Sequence, residues 1–257
     1  MIFDTHAHYD DKAFDEDRNE LLLSLKSNNI NYVVDVASNY PSNSAVLNLC
    51  DKYDFFYGAL GIHPSDCGDL NFTHFSEIEN NLSNPKVVAV GEIGLDYHYD
   101  TPEKDIQKKW FTHQLNMAKK HHLPVIIHSR DAAQDTYDIM VSEKARDIGG
   151  VVHCYSYSVE MAKNYLNMGF YIGIGGVVTF KNAQKLKDVV AFTPLNRLVT
   201  ETDCPYLSPE PNRGKRNTSL NIPFVIKKIA EIKNLPEDEV ESTLYDNALI
   251  LYNMKGL

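Results

Sequence analysis

The sequence predicts an α/β fold, a TIM (β/α)8 barrel with an additional C-terminal helix, built as one domain over residues 1–257. Short apolar runs alternate with longer helical patterns along the whole chain, which is the order of strand–helix units in a barrel. Residues 87–90 and 125–127 are almost continuously apolar, as parallel strands buried on both faces are. A chain of 257 residues also has the usual length of such a barrel.

Strands are predicted where an apolar or β-branched run ends in polar residues. They cover 1–4, 32–36, 55–62, 86–92, 124–128, 150–153, 170–174 and 198–203. Helices are predicted where apolar residues form one stripe, as Ile106, Trp110, Leu115 and Ala118 do. They cover 102–122, 131–146, 159–168, 183–191 and 222–233, with a last helix after Pro236. The order is eight strand–helix units followed by one extra helix.

Composition limits the classes of function. The formal net charge of −10 is unusual for a protein that grips long duplex DNA by its phosphates, so contact with nucleic acid would be local, at a strand end. The four cysteines form no CxxC pair, which suits a reducing cytoplasm. We expect a cytoplasmic monomer without a membrane partner, because neither a secretory signal nor a membrane-spanning apolar run is present.

The first ten residues contain a candidate metal site. His6 and His8 stand one residue apart after a short apolar start, and Asp4 precedes them. Side chains alternate along a strand, so both imidazoles point to the same side. Two imidazoles facing one way can hold a divalent ion.

Other metal-binding residue types follow strands elsewhere in the chain. In a barrel the carboxyl ends of the strands share one face, where active sites are built. Six candidate metal ligands therefore converge: His6, His8, Glu92, His128, His153 and Asp203. Four histidines and two carboxylates exceed the needs of one ion with an open position but suit two divalent ions (Mg, Mn, Zn, Ni or Co) bridged by Glu92. Glu92 and Asp203 are the candidate catalytic residues, since a carboxylate beside a metal-bound water can accept the proton of that water.

Several stretches, in order along the chain, resemble the TatD family of metal-dependent deoxyribonucleases, which are amidohydrolase-like hydrolases. The stretches are DTHAH at 4–8, GIHP at 61–64, GEIGLDY at 91–97, IHSRDA at 127–132, HCYS at 153–156, ETDCPYL at 201–207 and RGKRN at 213–217. The resemblance implies a TIM barrel and 3′→5′ exonuclease action on DNA. It also implies one ion on His6, His8, Glu92 and Asp203, and another on Glu92, His128 and His153. Tyr157 departs from the pattern, where the family often has glycine.

Further residues are candidates for holding substrate or orienting ligands. Arg130 stands two residues past His128, and a basic cluster lies at Arg213, Lys215 and Arg216. Cations there could grip phosphates on either side of a scissile bond. His63 closes strand three and either bonds a phosphate oxygen or lines the wall. Two further acids are predicted beside the ligands. Asp96 is expected to orient a ligand histidine. Glu201 is expected to orient a histidine, to act as an occasional ligand, or to be a buried acid paired with a barrel residue.

The main hypothesis is a divalent-metal-dependent hydrolase of phosphodiester bonds in DNA, with single strands or strand ends as partner. Related barrels hydrolyse small esters, lactones or amides with the same metals, and this is the alternative. A non-catalytic module that binds metal or nucleic acid is the third hypothesis. A substrate panel separates the first two, and turnover separates both from the third.

Overall fold

Eight parallel strands follow one another in chain order around a barrel in the computed structural model, which describes residues 1–254. The strands are β1 (Ile2–Ala7), β2 (Ile30–Val36), β3 (Phe56–Leu60), β4 (Val87–Asp96), β5 (Val125–Arg130), β6 (Gly150–Val152), β7 (Tyr171–Ile174) and β8 (Leu198–Thr200). The predicted barrel is confirmed. The predicted domain ends at residue 257, and its last three residues lie outside the described part of the chain.

Helices alternate with the strands and cover the outside of the barrel. They are α1 (Arg18–Leu25), α2 (Tyr40–Lys52), α3 (Phe72–Asn80), α4 (Lys104–His121), α5 (Ala133–Ser142), α6 (Val159–Asn167), α7 (Gln184–Phe192), α8 (Ile222–Lys233) and α9 (Glu237–Leu251). Helix α9 is the predicted additional C-terminal helix. Among residues 1–254, none of the helices is both long and apolar enough to cross a membrane.

The apolar residues form two layers, one between the strands and the helices and one inside the barrel. The inner layer includes Phe3, Tyr57 and Tyr171, which come from the starts of their strands. Leu251 and Tyr252, at the end of α9, pack into the same layer, and the Tyr252 hydroxyl donates a hydrogen bond to the Thr5 carbonyl at 2.7 Å. Helix α9 therefore closes the N-terminal end of the barrel and leaves the opposite end open for a site.

Several strands extend further than the sequence predicts, and this moves candidate residues from strand ends into strands. β1 extends to Ala7 and contains His6, and β4 extends to Asp96 and contains Glu92. The cause is pairing with neighbours, because β4 and β5 pair as far as Asp96 and Arg130 after a register shift between Val90 and Ile93. By contrast, β8 ends at Thr200, three residues before Asp203.

A buried carboxylate, that of Asp4, joins the first strand to the segment after the last. Its Oδ2 accepts hydrogen bonds from the hydroxyls of Thr202 and Ser219, both at 2.7 Å, and its Oδ1 accepts the Thr202 amide at 3.0 Å. A bridge between Ala7 and Cys204 continues this seam. Burial raises the pKa of Asp4 to about 6, while these hydrogen bonds favour the charged form. The barrel therefore closes through a hydrogen-bonded carboxylate as well as through backbone pairing.

Candidate metal centre

A cleft of about 1030 Å3 opens at the carboxyl ends of the strands. Its floor contains histidines and carboxylates from widely separated parts of the chain: His8, Glu92, His128, His153 and Asp203. His6 lies beneath them and is fully buried. The structure thus brings together the six residues that the sequence predicts as metal ligands.

One half of the centre consists of His6, His8 and Asp203. The Nε2 atoms of the two histidines are 3.0 Å apart, and Asp203 Oδ1 lies 3.7 Å from His6 Nε2 and 3.4 Å from His8 Nε2. Glu92 Oε2 completes this group, at 3.6 Å from His6 Nε2 and 3.8 Å from His8 Nε2.

The other half of the centre consists of His128 and His153 on the second oxygen of Glu92. Glu92 Oε1 lies 2.8 Å from His128 Nδ1 and 2.6 Å from His153 Nε2. These two nitrogens are 3.3 Å apart. Each oxygen of Glu92 therefore faces its own pair of histidines, as a carboxylate that bridges two ions does.

The separations in the half with His6 and His8 are close to those between the ligands of one divalent ion. Ligand atoms about 2.1 Å from an ion stand roughly 3.0–3.4 Å from one another in octahedral or tetrahedral arrangements. The donors around His6 and His8 span 3.0–3.8 Å. Neutral imidazole nitrogens and carboxylate oxygens suit zinc, nickel, cobalt and manganese.

Hydrogen bonds on the far side of the rings select which nitrogen faces the centre. His8 Nδ1 donates to the Val36 carbonyl at 2.7 Å, which leaves Nε2 free as a ligand. His128 Nε2 donates to Asp96 Oδ2 at 3.2 Å, which leaves Nδ1 free. Asp96, which the sequence predicts to orient a ligand histidine, thus contacts one of the candidate ligands.

The charges of the groups depend on one another. Burial alone would raise the pKa of Glu92, but the charge of His153 and the hydrogen bonds from His128 and His153 hold it well below its usual value. Burial alone would lower the pKa of His8, but Asp203 and Glu92 raise it to about 10. Likewise, hydrogen bonds from His128 to Asp96 and Glu92 outweigh its burial and raise its pKa to about 9. Protons on these histidines hold the carboxylates together wherever a cation does not.

Known proteins match this chain over nearly its full length. The family model described as "TatD related DNase" matches residues 3–253. A Bacillus subtilis protein named as an uncharacterised metal-dependent hydrolase, YabD, is 42% identical over 254 residues, covering 99% of this chain and 100% of the relative. YcfH of Escherichia coli K12, with the same description, is 33% identical over 257 residues, covering 99% of this chain and 96% of YcfH.

The chain belongs to the TatD family. The crystal structure of YjjV, a TatD homologue from Escherichia coli K12, superposes with a TM-score of 0.93 at 32% identity and 98% coverage of both chains. The protein is a metal-dependent hydrolase. The histidine and carboxylate groups at the carboxyl ends of its strands are the residues that could hold the metal.

Two of the predicted substrate-binding residues of this TatD-family chain line the cleft. Arg130 ends β5, and its guanidinium carbon lies 5.7 Å from the centre of the exposed Tyr99 ring. His63 Nε2 lies 3.8 Å from Glu92 Oε1. Because His63 Nδ1 accepts the Ser65 amide at 3.1 Å, the neutral ring carries its proton on Nε2, toward the cleft. Burial and the nearby His128 lower the pKa of His63 to about 3, so it stays a neutral donor.

The basic cluster lies elsewhere. The Arg216 guanidinium pairs with both carboxylate oxygens of Asp17, with Nη1 at 2.7 Å from Oδ1, and also donates to the Ala13 carbonyl. The Arg213 guanidinium covers the Phe180 ring at 4.2 Å. Neither arginine, nor Lys215, is among the residues of the described chain that line the cleft. The sequence predicts phosphate contacts for them because they form a basic cluster in an acidic chain, but the structure places Arg213 on Phe180 and Arg216 on Asp17.

A second, smaller cavity of about 200 Å3 adjoins the cleft and is mainly apolar. It shares Cys154, Ser156, Asp203 and Leu207 with the cleft. Tyr155 forms part of its wall. Cys154 therefore lies between the two cavities.

Two contacts that position the centre are absent from the sequence predictions. Gly94 has φ of +147°, and a Cβ at this position would lie 1.9 Å from the His128 carbonyl oxygen. The glycine permits the close approach of β4 and β5 that aligns Glu92 with His128. Tyr157, the departure from the family pattern, accepts the Ala132 amide at 3.2 Å and lies 3.0 Å from the Ser129 hydroxyl. Tyr157 therefore fastens the end of β5, where Arg130 lies, to the loop that follows.

Proposed function

We propose that this protein hydrolyses phosphodiester bonds in DNA and removes nucleotides from the 3′ end of a strand. The observation that carries the proposal is Glu92, whose two oxygens face separate histidine pairs on the floor of a wide cleft. Such a donor set would suit two ions, and two-ion centres suit in-line displacement at phosphorus. The two-ion count, the DNA substrate and the 3′→5′ direction are all parts of the proposal.

Two divalent ions, when bound, supply charge for the non-bridging phosphate oxygens and lower the pKa of water. The chain's own groups do the rest. Asp203 Oδ1 lies by His8, and the side chain remains 17% exposed to the cleft, so it is positioned to take the proton of the attacking water. His63 Nε2–H and Arg130 face the space where phosphate oxygens would lie and donate hydrogen bonds to them.

Two features support a nucleic-acid end as substrate. The cleft has a volume of about 1030 Å3, and both Lys12 and Arg130 line it. Beside Asp203, the apolar cavity of about 200 Å3 is placed to receive the base of a terminal nucleotide whose phosphate lies on the centre. The match to a family described as "TatD related DNase" supports the same substrate class.

Charge supports local rather than extended contact with DNA. The protein carries a formal net charge of −10, and Asp10, Asp11 and Asp66 also line the cleft. A long duplex would be repelled by such a surface. A single strand that enters the cleft by its end would first contact Lys12, Arg130 and the proposed metal ions.

The function is tested with purified protein, each of Mg, Mn, Zn, Ni and Co, and one oligonucleotide labelled at either end. With the 5′ label we expect a ladder of progressively shorter products, and with the 3′ label the immediate release of labelled mononucleotide. The reverse pattern would contradict the direction. A preference for small esters, lactones or amides over every oligonucleotide would favour the alternative hydrolase, and binding without turnover would overturn both.

Arg130 is expected to contribute to this reaction through phosphate binding. Arg130→Ala should lower kcat/KM on the oligonucleotide by about 10–100-fold, because it removes a charge-assisted donor from the cleft. Arg216→Ala is the matched control, since Arg216 is paired with Asp17 outside the cleft, and should stay within about twofold. Equal losses for both variants would show that the basic cluster after β8 also contacts substrate.

A further inference from the structure

Three polar atoms beneath the centre are buried and lack a protein hydrogen-bond partner. They are His6 Nδ1, His153 Nδ1 and Glu201 Oε2. The His6 and His153 rings stack face to face, with centroids 4.0 Å apart and planes inclined by 8°. Buried polar groups are rarely left without a partner, so three in one place point to a further component of the site.

These three residues form a group of their own. One nitrogen of each ring and one carboxylate oxygen of Glu201 lie within 4.8 Å of one another. Oε1 of Glu201 accepts the Cys154 amide. A Cβ at position 173 would lie 2.5 Å from Glu201 Oε2, so Gly173 makes room for this carboxylate. The Glu201 carboxylate is therefore held between the Cys154 amide and Gly173.

The chemistry of the rings identifies what can lie between them. The Nε2 atoms of His6 and His153 face Glu92 and the proposed ions, so in a neutral ring the proton is on Nδ1. A third cation cannot bind a nitrogen that carries a proton. A single water can accept one hydrogen bond from each Nδ1–H and donate one to Glu201 Oε2, which satisfies all three atoms.

We propose that Glu201 is a positioning residue for both halves of the centre, holding His6 and His153 through one shared buried water. This inference rests on the proposed two-ion centre. His6 belongs to the half with His8 and Asp203, and His153 to the half with His128. Glu201 would thus orient one histidine of each ion site, whereas Asp96 contacts His128 and orients a histidine of one site only.

The difference between Glu201 and Asp96 provides the test. Glu201→Gln keeps the shape and the acceptor for the Cys154 amide, but it presents a third donor to a water that already accepts two hydrogen bonds. Calorimetric titration of the metal-free full-length protein with Zn²⁺ should show two binding steps in the wild type. Glu201→Gln should weaken both steps by about 10–100-fold, and Asp96→Asn should weaken one.

Gly173→Ala provides a second, independent variant, because the added Cβ displaces the Glu201 carboxylate without changing charge. It should also weaken both steps while circular dichroism shows a folded protein. Weakening of one step or neither by Glu201→Gln and Gly173→Ala overturns the inference. So does a crystal structure of the zinc-bound protein that shows no water among the three atoms. Fewer than two Zn²⁺ bound by the wild type would instead contradict the two-ion centre.

Discussion

Replacing Glu92 by glutamine is expected to lower the rate of hydrolysis by about 10³-fold or more, since it removes the negative charge that the two proposed ions would share. The amide retains the volume of the carboxylate but can offer only one oxygen. The proposed ion on His6 and His8 and the proposed ion on His128 and His153 would compete for it. The measurement is kcat on the oligonucleotide at saturating metal, together with the number of ions bound.

Glu79→Gln is the matched control for this substitution. Glu79 is also a glutamate paired with a histidine, His121 at 3.2 Å, but it lies on α3 outside the cleft. We expect its kcat to stay within about twofold of the wild type, as for most surface pairs. Retention of nuclease activity by highly purified Glu92→Gln protein would contradict the proposed mechanism.

The stability of the metal-free protein should decrease as the pH rises from about 6.5 to about 10. His8, with a pKa of about 10, and His128, with a pKa of about 9, hold protons in the fold that an unfolded histidine releases near 6.5. Their stabilising contribution is thus complete below 6.5 and disappears as the pH passes through these higher values. At about 1.4 kcal/mol per pKa unit, the two histidines together contribute several kcal/mol.

Urea unfolding of metal-free and Zn²⁺-loaded protein across this pH range measures the effect. The loaded protein should lack the histidine-dependent loss, because the ions replace the protons, and loading at pH 7 should release about two protons per molecule. Proton release is read from calorimetry in buffers of different ionisation enthalpy. Loading without proton uptake by the buffer, or identical pH profiles for both forms, would show that His8 and His128 are neutral in the metal-free fold.

The barrel and the residues of the centre could be predicted because both depend on local rules. Alternation of apolar strands with helices indicates the fold, and parallel strands bring their carboxyl ends to one face. His6, Glu92 and His128 meet there although the strand ends were displaced by several residues, because the strands continue to pair past the predicted ends. The barrel fold determines which face these side chains share, even where the predicted end of a strand is wrong.

Contacts between distant segments could not be predicted in the same way. Arg216 follows β8 closely and is basic, but whether it meets DNA or Asp17 depends on a loop path that no periodicity encodes. The position of Glu201 shows the same limit. Alternation predicts that it faces the same side as Asp203, yet only packing against Gly173 and Cys154 reveals that it lies beneath two stacked imidazoles.

The hydrogen bonds of Asp4 with Thr202 and Ser219 have a consequence for synthesis of the protein, because they join the first strand to a segment that is made much later. Ribosomes extend a chain at about 5–20 residues per second, so His6 and His8 emerge roughly 10–40 s before Asp203. During that interval the first two ligands have no closed barrel around them. The complete donor set arises only after β8 has been made, and the choice among cellular metals therefore falls to the finished protein rather than to the nascent chain.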